Sequence, residues 1–252
     1  MAGIIRKFID WNVNLSTRLD NLLPISLRQD GNRCFLEEYA PRVEEVGAKI
    51  WDVGSGSQPY LSASRRLELG ATVVGLDISN EELAAAPDGA YSHQVVADIC
   101  QFSGDASADS VICQALLEHV PDTAGAIRAL ASIVRPGGRI YLFVPSRNAL
   151  FARANLMLPH QLKRRILFSV FPTARDNQGF QVWYDRCTPA QITCLAHSNG
   201  LVVEEQRLFW VSSYLKPFVP AFLAWRLCQS LARLMLGSEA AETFILVLRK
   251  PG

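Results

Sequence analysis

A chain of 252 residues is long enough for one α/β domain with insertions and for a substantial buried core. Its formal net charge of +1 gives no electrostatic basis for a nucleic-acid partner. Hydrophobic residues make up 49% and mean hydropathy is +0.12, with the apolar excess gathered at the two ends and after residue 147.

Residues 3–22 place Ile4, Ile5, Phe8, Leu15 and Leu19 at helical intervals with Arg6, Lys7 and Asp10 opposite, which predicts an amphipathic helix ending before Pro24. Such a helix serves either to pack over the sheet or the cofactor cleft, or to touch a membrane surface. Arg6, Lys7 and Asp10 also interrupt the opening apolar residues, so no secretory leader is expected. Residues 30–46 read as a second helix, interrupted near Pro41, that delivers the chain to Lys49-Ile-Trp-Asp-Val-Gly-Ser-Gly-Ser-Gln-Pro-Tyr60. There an apolar run carrying Asp52 breaks into Gly54-Ser-Gly56, the pattern of a buried parallel strand ending in a tight turn that lets the backbone approach a ligand. Residues 60–69 are expected to be helical and closed by Gly70. A second apolar strand, Ala71-Thr-Val-Val-Gly-Leu-Asp77, ends in a carboxylate about 20 residues after the turn, the spacing of a ribose-binding acid. Gly75 within it predicts a close backbone approach.

Ser79-Asn-Glu-Glu82 is a capping box for the next helix. Val95-Val-Ala-Asp98-Ile99 and residues 109–122 follow as third and fourth strands with their loops. Asp122 or Thr123 caps a helix to Val134, and Pro136-Gly137-Gly138 turns the chain into a fifth strand, 139–144. The alternation predicts a parallel sheet covered on both faces. It stops between 146 and 185, where two short helices (148–158 and 160–171) carry the cluster Lys163-Arg164-Arg165. Thr188-Pro189 starts a helix running to Gly200, and 201–209 and 243–248 read as the last two strands. Between them, Arg226, Gln229, Ser230 and Arg233 form one narrow polar stripe on a helix that is otherwise apolar, with Phe222, Leu223, Trp225, Leu227, Leu231 and Leu234. That face suits a bilayer interface, and equally a dimer or a cover over a substrate channel. Two prolines and Lys216 argue against a spanning helix. The six cysteines contain no Cys-x-x-Cys pair, so free thiols in a reducing cytoplasm are expected and a metal site is not.

With Pro59 where a dinucleotide cradle needs its third glycine, a pyrophosphate is poorly held, and a ligand with ribose but no phosphate fits better. The motifs Asp52-Val-Gly-Ser-Gly56, Asp77, Val95–Ile99, the 109–122 loop and Pro136-Gly-Gly138 resemble, in order, the class I S-adenosylmethionine-dependent methyltransferases. The resemblance implies an α/β, Rossmann-like doubly wound seven-stranded sheet, last strand antiparallel, with an inserted helical cap. It implies S-adenosyl-L-methionine held by Asp52, Gly54, Ser55, Gly56, Asp77, Ile78, Asp98, Ile99 and Gln114. One domain is expected over 1–252: N-terminal helices 1–47, a cofactor-binding core 48–146, a helical cap 147–187, and 188–252 completing the sheet around an amphipathic insertion at 209–237.

Methyl transfer from a sulfonium needs positioning more than covalent chemistry. A hydroxyl or phenol acceptor must also lose a proton, and His119, just after the fourth strand, is the candidate base. His160, Tyr184 and Arg186 are candidate acceptor-binding residues, whereas His93 and His197 read as structural. The apolar segments favour a small, lipid-like or quinone-like acceptor at the membrane surface. A sugar or other polar metabolite is the alternative, with a nicotinamide oxidoreductase or a non-catalytic cofactor-binding protein further behind.

Overall fold

The structure is a computed structural model that describes residues 2–150, 152–153, 181–211 and 215–252. The apolar runs form strands β1 (Lys49–Val53), β2 (Thr72–Asp77), β3 (His93–Val96), β4 (Ala108–Gln114), β5 (Val134–Pro145), β6 (Val202–Phe209) and β7 (Thr243–Arg249). They lie side by side in the order β3-β2-β1-β4-β5-β7-β6. Pairing is parallel from β3 across to β5, and β7 runs antiparallel to both its neighbours. β1 and β4 are apolar almost throughout because both their faces are buried: Trp51, Val53, Val111 and Cys113 face one core, and Ile50 and Ile112 the other. The strand order reverses between β1 and β4, which opens a crevice at the carboxyl ends of these strands.

Helices lie where the capping residues put them: α1 (Ala2–Asp20), α2 (Ile25–Arg28), α3 (Gly31–Cys34), α4 (Ala63–Leu69), α5 (Asn80–Ala84), α6 (Thr123–Ile133), α7 (Pro189–Ser198) and α8 (Val219–Leu236). Asp30, Ser62, Ser79, Asp122 and Thr188 each accept a backbone N–H of the first turn that follows. Several boundaries differ from expectation. β5 begins at Val134 and runs through Pro136-Gly137-Gly138, ahead of the expected start at 139. α3 widens after Cys34 into a π turn and then a 3-10 turn, since Pro41 has no N–H to continue the ladder. α4 starts at Ala63 rather than Tyr60, because the Tyr60 amide is committed to the Asp52 carboxylate at 2.8 Å.

The centre of the expected cap, including His160 and Lys163–Arg165, lies outside the described residues. Its return stretch is docked on the loop after β4. The amides of Trp183 and Tyr184 donate to the Glu118 carbonyl at 2.8 and 3.1 Å, and the Cys187 thiol donates to the Leu117 carbonyl at 3.2 Å.

α8 decides an orientation that periodicity leaves open. Phe222 and Trp225 of the apolar face are buried, and so is Gln229 of the polar stripe. Arg226 also points inward, donating to the carbonyls of Leu27 and Trp210 at 3.1 and 2.9 Å and pairing with buried Asp20 of α1. The periodicity located the faces, but the partner of Arg226 is 206 residues away in sequence. Among the described residues, no helix is long and apolar enough to cross a membrane.

Candidate active site

The turn after β1 is shaped by close contacts rather than by flexibility. Gly54 has φ +80°, and a Cβ there would meet Leu116 Cδ1 at 2.7 Å. Gly56 has φ +50°, and a Cβ there would lie 2.9 Å from Glu82 Cβ and 3.2 Å from Asp77 Oδ2. Both positions therefore need glycine on two counts. The Tyr91 hydroxyl donates to the Gly56 carbonyl at 3.0 Å, and its ring lies so near Gly75 that a Cβ would come within 2.7 Å of it. The close approach foreseen at Gly75 is thus made by an aromatic ring and not by backbone.

Asp52 is buried at the end of β1 and accepts from the Ser55 hydroxyl and the Tyr60 amide. Burial pushes its carboxyl up to about 6, against the pull of those two hydrogen bonds. Asp52, Ser55 and Gln114 line a cavity of about 460 Å³ together with Asn32, Leu36, Gln58, Pro59, Tyr60 and Ile112. The Gln114 amide donates to Asn32 Oδ1 at 2.7 Å, so the N-terminal segment closes this side of the crevice. Sequence reasoning passed over Asn32, and no spacing signal marks it.

Asp77 stands on the other side of Gly56. One of its oxygens accepts the Ser79 amide at 2.9 Å, and its carboxyl is raised, first by burial and further by the nearby Glu82. Beside it, Ile78 is 64% exposed, an apolar side chain held out at the crevice rim. Asp98, past the end of β3, accepts from the Cys100 amide at 2.9 Å and from the Gln101 side chain at 3.3 Å, while Ile99 is buried.

His119 sits in the 3-10 turn after β4. Its Nδ1 is 3.1 Å from the Gln181 carbonyl and its Nε2 is 3.8 Å from Glu118 Oε1. Glu118 escaped sequence reasoning because its neighbours, not its spacing, make it unusual. Burial pushes its carboxyl up to about 8, and Oε2 has no hydrogen-bond partner among the described residues. Tyr184 packs into the main core with φ +49°, and the Arg186 side chain points outward 4.0 Å from Asp185. Neither lines the cavity at Asp52.

The sequence matches the methyltransferase-domain family over residues 51–142. A ubiquinone biosynthesis O-methyltransferase from Xanthomonas axonopodis pv. citri is 31% identical over 179 residues, 68% of this chain and 69% of the relative. One from Aeromonas salmonicida is 31% identical over 167 residues, covering 63% of this chain and 65% of its own. The chain belongs to the S-adenosylmethionine-dependent methyltransferases. It spans about two thirds of the length of these relatives. Among solved structures, the S-adenosylmethionine-dependent methyltransferase of Mesorhizobium loti superposes with a TM-score of 0.52 at 18% identity, covering 85% of this chain and all (100%) of that one. A chain of the Haloferax volcanii complex between the Trm112 methyltransferase activator and its methyltransferase partner reaches 0.55 at 19% identity, covering 97% and 98%. The [4+2]-cyclase SpnF reaches 0.52 at 17% identity over 89% of this methyltransferase and 86% of the cyclase, so the fold alone does not name a reaction. The cofactor is S-adenosylmethionine.

Proposed function

We propose that this methyltransferase moves the methyl group of S-adenosylmethionine to a phenolic oxygen of a quinone-like, lipid-like acceptor met at a membrane surface. The observation that carries the acceptor class is the likeness, over 68% of the chain, to enzymes named for O-methylation in ubiquinone biosynthesis. Residues 1–252 act as one unit in this reading, with the cofactor at the carboxyl ends of β1, β2 and β3.

Asp77 would take the two ribose hydroxyls, since a carboxylate accepts two hydrogen bonds in a fork. Ile78, Asp98 and the Ile99 amide would hold the adenine. Gly54, Ser55, Gly56, Asp52 and Gln114 hold the methionine part, whose ammonium compensates the buried Asp52 carboxylate. Bound in this way, the cofactor supplies an electrophilic methyl group. The chain's own task is to align the acceptor oxygen and remove its proton. Donation of Nδ1–H of His119 to the Gln181 carbonyl would leave Nε2 as the atom that takes it. Arg186, whose side chain is exposed, is assigned to an anionic substituent of the acceptor.

The test is an incubation of the purified protein with S-adenosylmethionine and a soluble catechol. Mass spectrometry is expected to show a singly O-methylated product and S-adenosylhomocysteine. Cofactor binding without methylation of any catechol or phenol, together with turnover of a sugar or polar amine, would overturn the acceptor class.

A further inference from the structure

α1 and α8 bury polar side chains at their seam, beside Phe222 and Trp225 of α8, while α8 turns a row of leucines outward. In α1 the side chains at helical spacing 12, 16 and 20 are polar and buried: Asn12 accepts the Val219 amide at 3.1 Å, the Ser16 hydroxyl donates to the Lys216 carbonyl at 3.0 Å, and Asp20, 4% exposed, pairs with Arg226 and Lys216. Gln229, buried on α8, accepts from Arg226 at 3.0 Å. The opposite face of α1 carries Lys7, Trp11, Asn14 and Arg18, and that of α8 carries Leu223, Leu227, Leu231, Leu234 and Met235, the last two 83% and 82% exposed. A helix on a water-exposed surface has the reverse arrangement, and single exposed leucines are ordinary where a continuous row is not.

Charge selects the occupant. Residues 1–28 and 210–238 contain seven basic side chains and two acidic ones, a net of +5 against +1 for the whole chain, so the remainder carries −4. Of the two acids, Asp20 is already spent inside the seam, while Arg6, Lys7, Arg18, Arg28 and Arg233 stand at the exposed rim. A second copy of this chain would bring two basic rims together. An anionic lipid surface meets both the apolar row and the rim.

We propose that the α1/α8 face docks this methyltransferase on the anionic surface of a lipid bilayer, with both helices lying in the interface. The proposal rests on the reading of a lipid-like acceptor for its purpose, and on the two helix faces for its evidence.

The test is co-sedimentation of the full chain with vesicles of phosphatidylcholine, with and without phosphatidylglycerol. The protein is expected to pellet with the anionic vesicles and to be released by salt. The double variant Leu227→Glu/Leu231→Glu, on exposed positions, is expected to lose at least about tenfold in vesicle affinity, and Arg6→Glu/Lys7→Glu severalfold. Both variants are expected to keep wild-type affinity for S-adenosylmethionine, which shows that they are folded. Wild-type protein left in the supernatant with anionic vesicles, or variants that pellet as well as wild type, overturns the proposal. A dimer in light scattering that Leu227→Glu/Leu231→Glu splits assigns the face to a second copy instead. O-methylation of the soluble catechol without vesicle binding sinks the docking alone, and vesicle binding without O-methylation sinks the proposed reaction alone.

Discussion

The carboxyl edge of the sheet and the α1/α8 pair follow opposite rules of construction. At the sheet edge, apolar strands are buried on both faces and the polar groups gather at their ends, where Asp52 and Asp77 border an open crevice. In the helix pair, hydrogen bonds and an ion pair run through the interior beside Phe222 and Trp225, and the leucines of α8 face out. A buried polar group needs a specific partner, whereas an outward leucine needs only a suitable surrounding. The first region is therefore specified by its own residues, and the second by what lies beyond the protein.

That contrast is broken most directly at Arg226. Arg226→Ala leaves Asp20 in the seam with, among the described residues, Lys216 at 3.6 Å as its remaining ion-pair partner, and is expected to cost about 3 kcal/mol of stability in urea unfolding. Leu231→Ala on the outer face should change stability by less than about 0.5 kcal/mol. Equal costs for the two would mean that the faces are not inverted.

At the sheet edge, His119→Ala is expected to slow single-turnover methyl transfer to a phenol by about 10²-fold while calorimetry shows unchanged cofactor affinity. Turnover within a few-fold of wild type would remove His119 from the role of base. Asp77→Ala separates the other way: cofactor affinity should fall at least about tenfold, the worth of a charge-assisted contact of roughly 1.5–3 kcal/mol. Undiminished binding would displace the ribose from Asp77.

The smallest effect expected is on pH. A bound ammonium favours the ionised form of Asp52, whose carboxyl titrates at about 6 in the folded chain. Cofactor affinity should hold above pH 6 and weaken below it, by up to about tenfold per unit. In the cofactor-free protein the sign is reversed. The folded value exceeds the ordinary 3.8, so stability associated with this proton is complete below 3.8 and is lost as pH rises to about 6. A flat affinity profile from pH 5 to 8 would detach the ammonium from Asp52.

The strands and helix starts were legible because local chemistry decides them. Ser79 and Glu82, Asp122 and Thr188-Pro189 cap where they stand, and the runs around Trp51 and Val74 are apolar because both faces of the sheet are covered. The glycine turn and the acid closing β2 were legible for the same reason, being set by neighbours close in sequence. What escaped depends on distant partners. Periodicity divides α8 into two faces but does not say which one meets Asp20 of α1. Gly75 admits Tyr91 from 16 residues on, Asn32 reaches Gln114 across 82 residues, and Glu118 is exceptional only because the stretch around Tyr184 covers it.

The uneven charge of the chain has a consequence for how the molecule behaves before it touches anything. With a pI near 7.6 it is almost neutral as a whole, yet residues 1–28 and 210–238 sum to +5 and the rest of the sequence to −4. A chain whose charge is divided in this way has a dipole moment although its net charge is small. In a field gradient it turns before it is drawn in, so its orientation on approach is set within a Debye length, about 8 Å at physiological ionic strength. Dilute buffer sharpens that alignment and favours head-to-tail association between molecules, while moderate salt keeps them apart and erases the preference.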